Sequence, residues 1–223
     1  MADRRRRILH SARAIIAAEG IEGLAMRKLA DRAGVAVKTL YNLYGGREAI
    51  LRALIDDSMD RMDAQLEEVA PLDDPLARCR AVVTVSIEHI LRLEDLSRAM
   101  VLARYQGLAG HLPDRRMVGV RAARMQAVAI KAGIDRGLFK NELNPDVLAS
   151  QIYHGYDLAH IQWAFGMIDA EEFEARALYG VYVTLLAVAA APLHDALVAE
   201  IHDLEAILKA KSDQEEVCRA SSA

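Results

Sequence analysis

The stretch that decides the fold is MRKLADRAGVAVKTLYNLYG, residues 26–45. It contains two short amphipathic segments on either side of Gly34, and their apolar residues have helical spacing. Ala30 lies in the middle of the first segment, where a larger side chain would push the second helix away. Gly34 falls where the turn needs a left-handed backbone, which glycine adopts without strain. The stretch therefore predicts a helix-turn-helix, locked together by Leu29, Val35, Leu40 and Leu43.

The second helix of this motif leaves several side chains facing outward. They can donate or accept hydrogen bonds or make methyl contacts, which is what the reading of base edges in the major groove requires. The alternative interpretation is a plain helical hairpin in which the alanine and the glycine are coincidental. The candidate base-contacting residues are Val37, Lys38, Thr39, Tyr41 and Asn42.

The distribution of charge favours binding to a polyanion, although the whole chain has a net charge of -4. Residues 1–52 hold 11 Lys and Arg against five Asp and Glu, a net charge of +6. The remaining residues hold 17 against 27, a net charge of -10. This asymmetry localises the attraction for DNA at the predicted helix-turn-helix, while the acidic remainder repels it.

The sequence gives little support to catalysis, a metal site, a cofactor or a membrane span. Cys79 and Cys218 match no metal or redox spacing, and there is no nucleophile elbow, phosphate-binding glycine loop or His/Cys cluster. The apolar run 181–193 is too short to cross a bilayer, and the run after Arg4–Arg7 is too short for a secretory signal. We therefore expect a cytoplasmic protein that is not an enzyme. A helical-bundle enzyme or carrier with an incidental basic N-terminal part is the rival interpretation.

Almost all of the remaining sequence has helical periodicity, with helix-start signals at intervals. Asp74-Pro75 and Asn144-Pro145 each offer an N-cap residue followed by a proline at the first helical position. No β-alternation of useful length occurs. The sequence therefore predicts an all-α fold of about nine or ten helices.

Five short motifs stand out in the N-terminal part of the chain. They are Gly20-Ile21-Glu22-Gly23, Met26-Arg27-Lys28-Leu29-Ala30, Ala33-Gly34-Val35, Thr39-Leu40-Tyr41 and Arg47-Glu48-Ala49-Ile50-Leu51. Together they resemble the TetR family of transcriptional regulators. The resemblance implies a three-helix DNA-binding domain over residues 1–52 and a helical effector-binding and dimerisation domain over residues 53–211. The polar composition after Lys211 predicts a flexible tail over residues 212–223.

The resemblance further implies a homodimeric repressor that a small-molecule effector releases from a palindromic DNA operator. An activator, or a regulator that responds to a protein partner, is the alternative on the same fold. Carried over to this sequence, Lys38 and Thr39 would reach bases or adjacent phosphates, and the Tyr41 hydroxyl would contact a phosphate. Phosphate contacts are also implied for Arg27 and Arg47, and a backbone or minor-groove arm for Arg4, Arg5, Arg6 and Arg7.

Two residues depart from the pattern of the family, which usually has Ser or Thr at the position of Ala25 and Ser at the position of Ala36. Each hydroxyl would cap a helix, and losing it costs about 1 kcal/mol per site. Each loss also removes one phosphate contact. We therefore expect modest operator affinity.

Two sets of residues in the C-terminal part are candidates for an interface and for an effector pocket. Small residues at helical spacing allow helix axes to approach closely, so Gly155, Ala159, Gly180, Thr184 and Ala187 predict a four-helix dimer interface, with packing inside one chain as the alternative. His154 and Asp157 are expected at the surface or the interface. The residues that would line a pocket for a largely apolar effector, or else belong to plain core, are Met100, Tyr105, Met117, Met125, Tyr153, His160, Trp163 and Phe165.

Overall fold

The computed structural model describes the backbone of residues 2–105 and 115–221 and the side chains of residues 3–103 and 119–214. Within these ranges it contains ten α-helices, one 3-10 turn and no strand, which confirms the predicted all-α fold. The elements are α1 (Ala2–Glu19), the 3-10 turn (Ile21–Gly23), α2 (Met26–Ala33), α3 (Val37–Tyr44), α4 (Arg47–Val69), α5 (Pro75–Arg92), α6 (Glu94–Tyr105), α7 (Arg115–Asp135), α8 (Pro145–Ala164), α9 (Ala170–Leu186) and α10 (Ala191–Ser221). None of the described helices has the length and apolar character of a membrane span.

The chain forms two compact units. The first comprises residues 1–63 and 89–118, and the second comprises residues 64–88 and 119–223. The boundary predicted at residue 52 therefore falls inside α4, and the first unit also includes α6. At the other end α10 continues to Ser221, where the sequence suggested a flexible tail from residue 212. Glu, Gln, Arg and Ala are frequent there and favour helix.

The core of the first unit is built by the apolar faces of α1 to α4. Ile8, Ile16, Leu40, Ile50 and Leu51 are all completely buried. Helix α6 completes this core with buried Ala103 and with three residues that pack partly against it, namely Leu96, Ala99 and Met100. Met100 therefore contributes to the support of the helix-turn-helix, and its role in an effector pocket stays a prediction. The periodicity of α6 predicts an apolar face, but it does not show which helices pack against that face.

An ion-pair cluster ties α1 to α4 within the first unit. The Arg13 guanidinium pairs with the Asp57 carboxylate, which also accepts from Arg61 Nε at 3.0 Å. The Arg13 side chain is only 14% exposed, so solvent screens this contact less than it screens a surface pair. The cluster fixes the direction in which α4 leaves the helix-turn-helix.

In the second unit the predicted caps are formed. The Asn144 side chain accepts from the backbone amides of Asp146 and Val147, with Pro145 at the first helical position of α8. Helix α9 ends at Leu186. The residues after it pair with the segment between α7 and α8, where Lys140 N donates to Val188 O at 2.7 Å and Ala190 N donates to Leu138 O at 2.9 Å.

Candidate nucleic-acid interface

The turn between α2 and α3 has the geometry that the sequence predicts. Gly34 adopts φ 63° and ψ 45°, the left-handed conformation, and the Val35 amide donates to the Ala30 carbonyl at 3.0 Å. These bonds satisfy carbonyl groups at the end of α2 as in a Schellman motif. Leu29, Ala30 and Leu40 are buried, and their packing holds the two helices of the helix-turn-helix together.

Helix α3 presents a polar row to solvent. Lys38 and Asn42 are exposed, Tyr41 is 51% exposed, and Thr39 is half-buried. Val37, predicted to face outward, is half-buried and packs partly against the core, because it lies three residues before the completely buried Leu40 on nearly the same face of the helix. Lys38, Tyr41 and Asn42 are thus available to a DNA groove, with Thr39 available in part.

The four arginines at the start of the chain lie on a helix. Arg4, Arg5, Arg6 and Arg7 are exposed in the first turns of α1, which begins at Ala2, so the side chains predicted to reach the DNA backbone or a minor groove project from a helix. An i, i+3 ion pair from Arg6 to Asp3 at 2.6 Å supports the helical conformation. The Arg5 guanidinium lies over the Tyr44 ring, 5.8 Å from its centre. Burial raises the pKa of the Tyr44 hydroxyl, and Arg5 opposes that effect.

Arg47 is engaged inside its own domain. Its Nη2 donates to the Ile21 carbonyl at 2.6 Å and lies 3.5 Å from Glu22 Oε1, and the side chain is 25% exposed. These bonds fasten the start of α4 to the 3-10 turn. Arg27, by contrast, is exposed in the first turn of α2, where helix amides and a cation together favour a phosphate.

Arg47→Ala is expected to lower the free energy of unfolding by about 1–2 kcal/mol, because the hydrogen bond to Ile21 has a charged donor and is partly buried. Since the guanidinium is already bonded inside the domain, the salt dependence of DNA binding should stay at its wild-type slope. Urea unfolding and salt titrations of DNA affinity measure the two quantities. Arg52→Ala, at an exposed position of α4, is the matched control for stability. A flatter salt slope for Arg47→Ala would restore its assignment as a phosphate contact.

Helices α2 and α3 both begin without a side-chain cap. Ala25 and Ala36 have extended backbones, with φ -89° and -71°, and neither makes a side-chain hydrogen bond to its helix. The first amides of α2 and α3 therefore lack the partner that a serine hydroxyl would supply. The two alanines leave these helix starts open.

Ala25→Ser and Ala36→Ser are each expected to raise the free energy of unfolding by about 1 kcal/mol, since their extended backbones already suit an N-cap residue. Thermal or urea unfolding of the single and double variants measures the gain, and the two effects should add. Ala18→Ser, at an exposed position inside α1, is the control and should give no gain. A loss of stability at both caps would show that the hydroxyls do not reach the helix amides.

The residues predicted to line a pocket are distributed over several environments. His160 stacks on Phe173 with ring centres 5.6 Å apart and on Trp163 at 5.9 Å, and Phe173 and Trp163 are both almost completely buried. Met125 is buried in α7, and Tyr153 is half-buried in α8. Phe165 is 47% exposed and lies beyond the last turn of α8. The side chains of Tyr105 and Met117 lie outside the described residues.

The interior of the second unit also holds polar groups that sequence reasoning missed. Asp157, expected at the surface or the interface, is only 5% exposed and accepts from the Tyr153 hydroxyl at 3.4 Å. The Tyr156 and Ser86 hydroxyls are 2.6 Å apart, and burial raises the pKa of Tyr156. Gln126 is almost completely buried in α7. Of these buried polar contacts, only the one between Tyr153 and Asp157 has an i, i+4 spacing that could have been recognised in the sequence.

Comparison with known proteins agrees with this architecture. Residues 8–54 match the family described as bacterial regulatory proteins, tetR family. A segment of 68 residues is 38% identical to the HTH-type transcriptional repressor KstR of Mycobacterium tuberculosis, covering 30% of this chain and 31% of that protein. The match thus spans about a third of the length of that relative.

Two solved structures share the fold over most of the chain. A TetR transcription regulator from Haloarcula marismortui superposes with a TM-score of 0.69 at 21% identity, covering 85% of this chain and 100% of that one. The transcriptional regulator FadR from Bacillus subtilis, in complex with stearoyl-CoA, superposes with a TM-score of 0.62 at 20% identity, covering 81% of this chain and 97% of that one. Residues 8–54 thus match the N-terminal DNA-binding domain of the TetR family, and the chain shares the fold of these two solved regulators.

Proposed function

We propose that this protein is a transcriptional regulator that binds a specific DNA operator as a homodimer, represses transcription and is released by a small molecule. The observation that carries the proposal is the exposed row of Lys38, Tyr41 and Asn42 on α3, held by the left-handed turn at Gly34. A helix presented in this way fits the major groove, and cationic and hydroxyl side chains suit phosphates and base edges. The KstR relative is itself named a repressor, which supports the direction of regulation.

Glycines on α8 and α9 support the dimer. A Cβ added to Gly155 or to Gly180 would meet nothing within 4 Å, so packing inside the chain does not require either glycine. Large apolar residues lie on the same two helices, with Leu158 58% exposed and Val183 43% exposed. Ala187 is exposed as well. Glycines that let backbones approach, beside exposed aliphatic side chains, suit a second copy of the same two helices.

The predicted interface residues do not all lie on this face. Ala159 is 2% exposed, so it packs inside its own chain. The Thr184 hydroxyl donates to the Gly180 carbonyl at 2.7 Å within α9. The proposed dimer face, which we call the α8–α9 face, is therefore Gly155, Leu158, Gly180, Val183 and Ala187.

Response to an effector rests on thermodynamic linkage between a ligand site and the DNA-binding domain. Helix α6 packs on the helix-turn-helix core through Leu96, Ala99, Met100 and Ala103. A ligand that favours one position of α6 would therefore also favour one arrangement of that core. FadR, which shares the fold, is described in complex with stearoyl-CoA, which supports a small molecule as the effector class.

The proposal is tested by selecting DNA from a random duplex library with the purified protein. We expect recovered sequences with two inverted half-sites about 34 Å apart, the spacing of recognition helices in a dimer. Affinity should fall steeply as salt increases, because phosphates supply much of the binding energy. A protein that retains no duplex even in dilute salt would refute the proposed function.

A further inference from the structure

A buried amide in the second unit has no hydrogen-bond partner in the part of the chain that the structure describes. Gln126 lies in α7 and is 2% exposed, and neither its Nε2 nor its Oε1 has a partner among the described residues. A buried polar group of this kind forfeits the hydrogen bonds that water gives it in the unfolded chain, which is why such groups are rare. Gln126 leaves both a donor and an acceptor unused.

The neighbouring glycines show which way this side chain faces. Gly119 and Gly133 lie seven residues before and after Gln126, so the three share one face of α7. A Cβ on Gly119 would lie 2.7 Å from Cε1 of Tyr153 in α8, and a Cβ on Gly133 would overlap the Phe139 ring. The face that carries Gln126 is therefore packed against other elements at both ends.

Two contacts between α7 and α8 show how these helices are oriented. Lys131 Nζ lies 2.9 Å from Asp146 Oδ1 at the start of α8, and Gly119 meets Tyr153 further along it, so the two helices run antiparallel. Gln126 lies between these two contacts along α7. Its amide is thus held in the interior of the second unit, away from the ends of both helices.

We propose that Gln126 is the polar contact for the effector, and that this effector is a neutral, largely apolar molecule whose buried group both donates and accepts a hydrogen bond. The assignment rests on the proposed function, since it names the ligand class of the same regulator. A carboxamide or a hydroxyl satisfies Nε2 and Oε1 together. A carboxylate satisfies only Nε2, leaves Oε1 without a donor and brings a charge into the interior, which is strongly disfavoured unless the charge is paired.

The first test is the stability of the ligand-free protein. Gln126→Leu and Gln126→Met keep most of the side-chain volume and remove the amide, so the Tm of each should rise by about 3 °C. Gln65→Leu, at a half-buried glutamine of α4 whose amide donates to Glu88, is the matched control and should not raise it. A fall in Tm for both Gln126 variants would mean that the amide is already satisfied, for example by a water, and would overturn the assignment.

The second test uses octanamide and octanoate, two probes with the same chain and different head groups, and measures their Kd by thermal unfolding without DNA. We expect octanamide to bind wild-type protein at least about tenfold more tightly than octanoate, and about tenfold more weakly after Gln126→Leu. Gln65→Leu should bind it like wild type. Equal affinity for the two probes, no binding of octanamide, or unchanged affinity in Gln126→Leu would each overturn the proposal.

Failure of this assignment is distinguishable from failure of the proposed function. A wild-type protein that binds duplex DNA but shows no dependence of octanamide binding on Gln126 would refute the assignment alone. A wild-type protein that binds octanamide through Gln126 but binds no duplex would refute the proposed regulator and leave Gln126 as a ligand contact.

Discussion

Gly180→Arg is expected to convert the proposed homodimer into monomers and to lower affinity for the proposed operator at least about 100-fold, because a monomer reads only one half-site. Within one chain the substitution is tolerated, since a Cβ at this position meets nothing within 4 Å and arginine favours helix more than glycine does. On the α8–α9 face of a dimer, however, the guanidinium would be buried against the partner without a counter-charge. Analytical ultracentrifugation and titration of a labelled operator measure the two effects.

The control for this experiment is Val128→Arg. Val128 is 42% exposed on α7, outside the α8–α9 face, so arginine there should leave both the dimer and operator affinity unchanged. Circular dichroism of Gly180→Arg should show helical content like that of wild type. If Gly180→Arg remains a dimer with wild-type affinity, the α8–α9 face is not the interface.

The second large effect is expected from the double variant Lys38→Ala/Tyr41→Ala, which should lose about 100-fold in operator affinity at moderate salt, with about tenfold from each residue. Lys38 is expected to neutralise a phosphate in each subunit. Lys38→Ala should therefore make the plot of log affinity against log salt shallower by about two. Neither change should unfold the domain, because both side chains are largely exposed.

Two further variants separate the chemistry of these residues. Tyr41→Phe keeps the ring and removes only the hydroxyl, so a loss equal to that of Tyr41→Ala would assign the effect to the phosphate contact. Lys209→Ala, at an exposed lysine of α10, is the control for a change in net charge and should keep the wild-type salt slope. Wild-type affinity and slope in the double variant would show that α3 does not contact DNA.

The helix-turn-helix was predictable because its determinants are local. The left-handed turn at Gly34 and the tight contact at Ala30 both arise within two consecutive helices. The periodicity of two neighbouring segments is therefore enough to place Leu29 and Leu40 in the core. The same locality made the cap signal at Asn144 readable.

The roles that could not be predicted depend on partners distant in the chain. Arg47 bonds to the carbonyl of Ile21, 26 residues earlier, whereas a basic residue at the start of a helix normally indicates a free charge. Met100 belongs to the helix-turn-helix core only because α6 returns to pack on it. Asp157 is buried beside Tyr153, although composition alone places an aspartate at the surface. Each case needs tertiary structure, which periodicity does not supply.

The packing of α6 on the helix-turn-helix core bears on how the DNA-binding part could be isolated. A truncated fragment ending at residue 52 or 63 would lack Leu96, Ala99, Met100 and Ala103, and would leave their apolar contacts open to water. Such a fragment would be less stable than the same residues in the whole chain and prone to self-association. The N-terminal part of this protein is therefore an incomplete folding unit when it is separated from the rest of the chain. Weak DNA binding by such a fragment would reflect the loss of its packing against α6 as well as the loss of the second half-site contact.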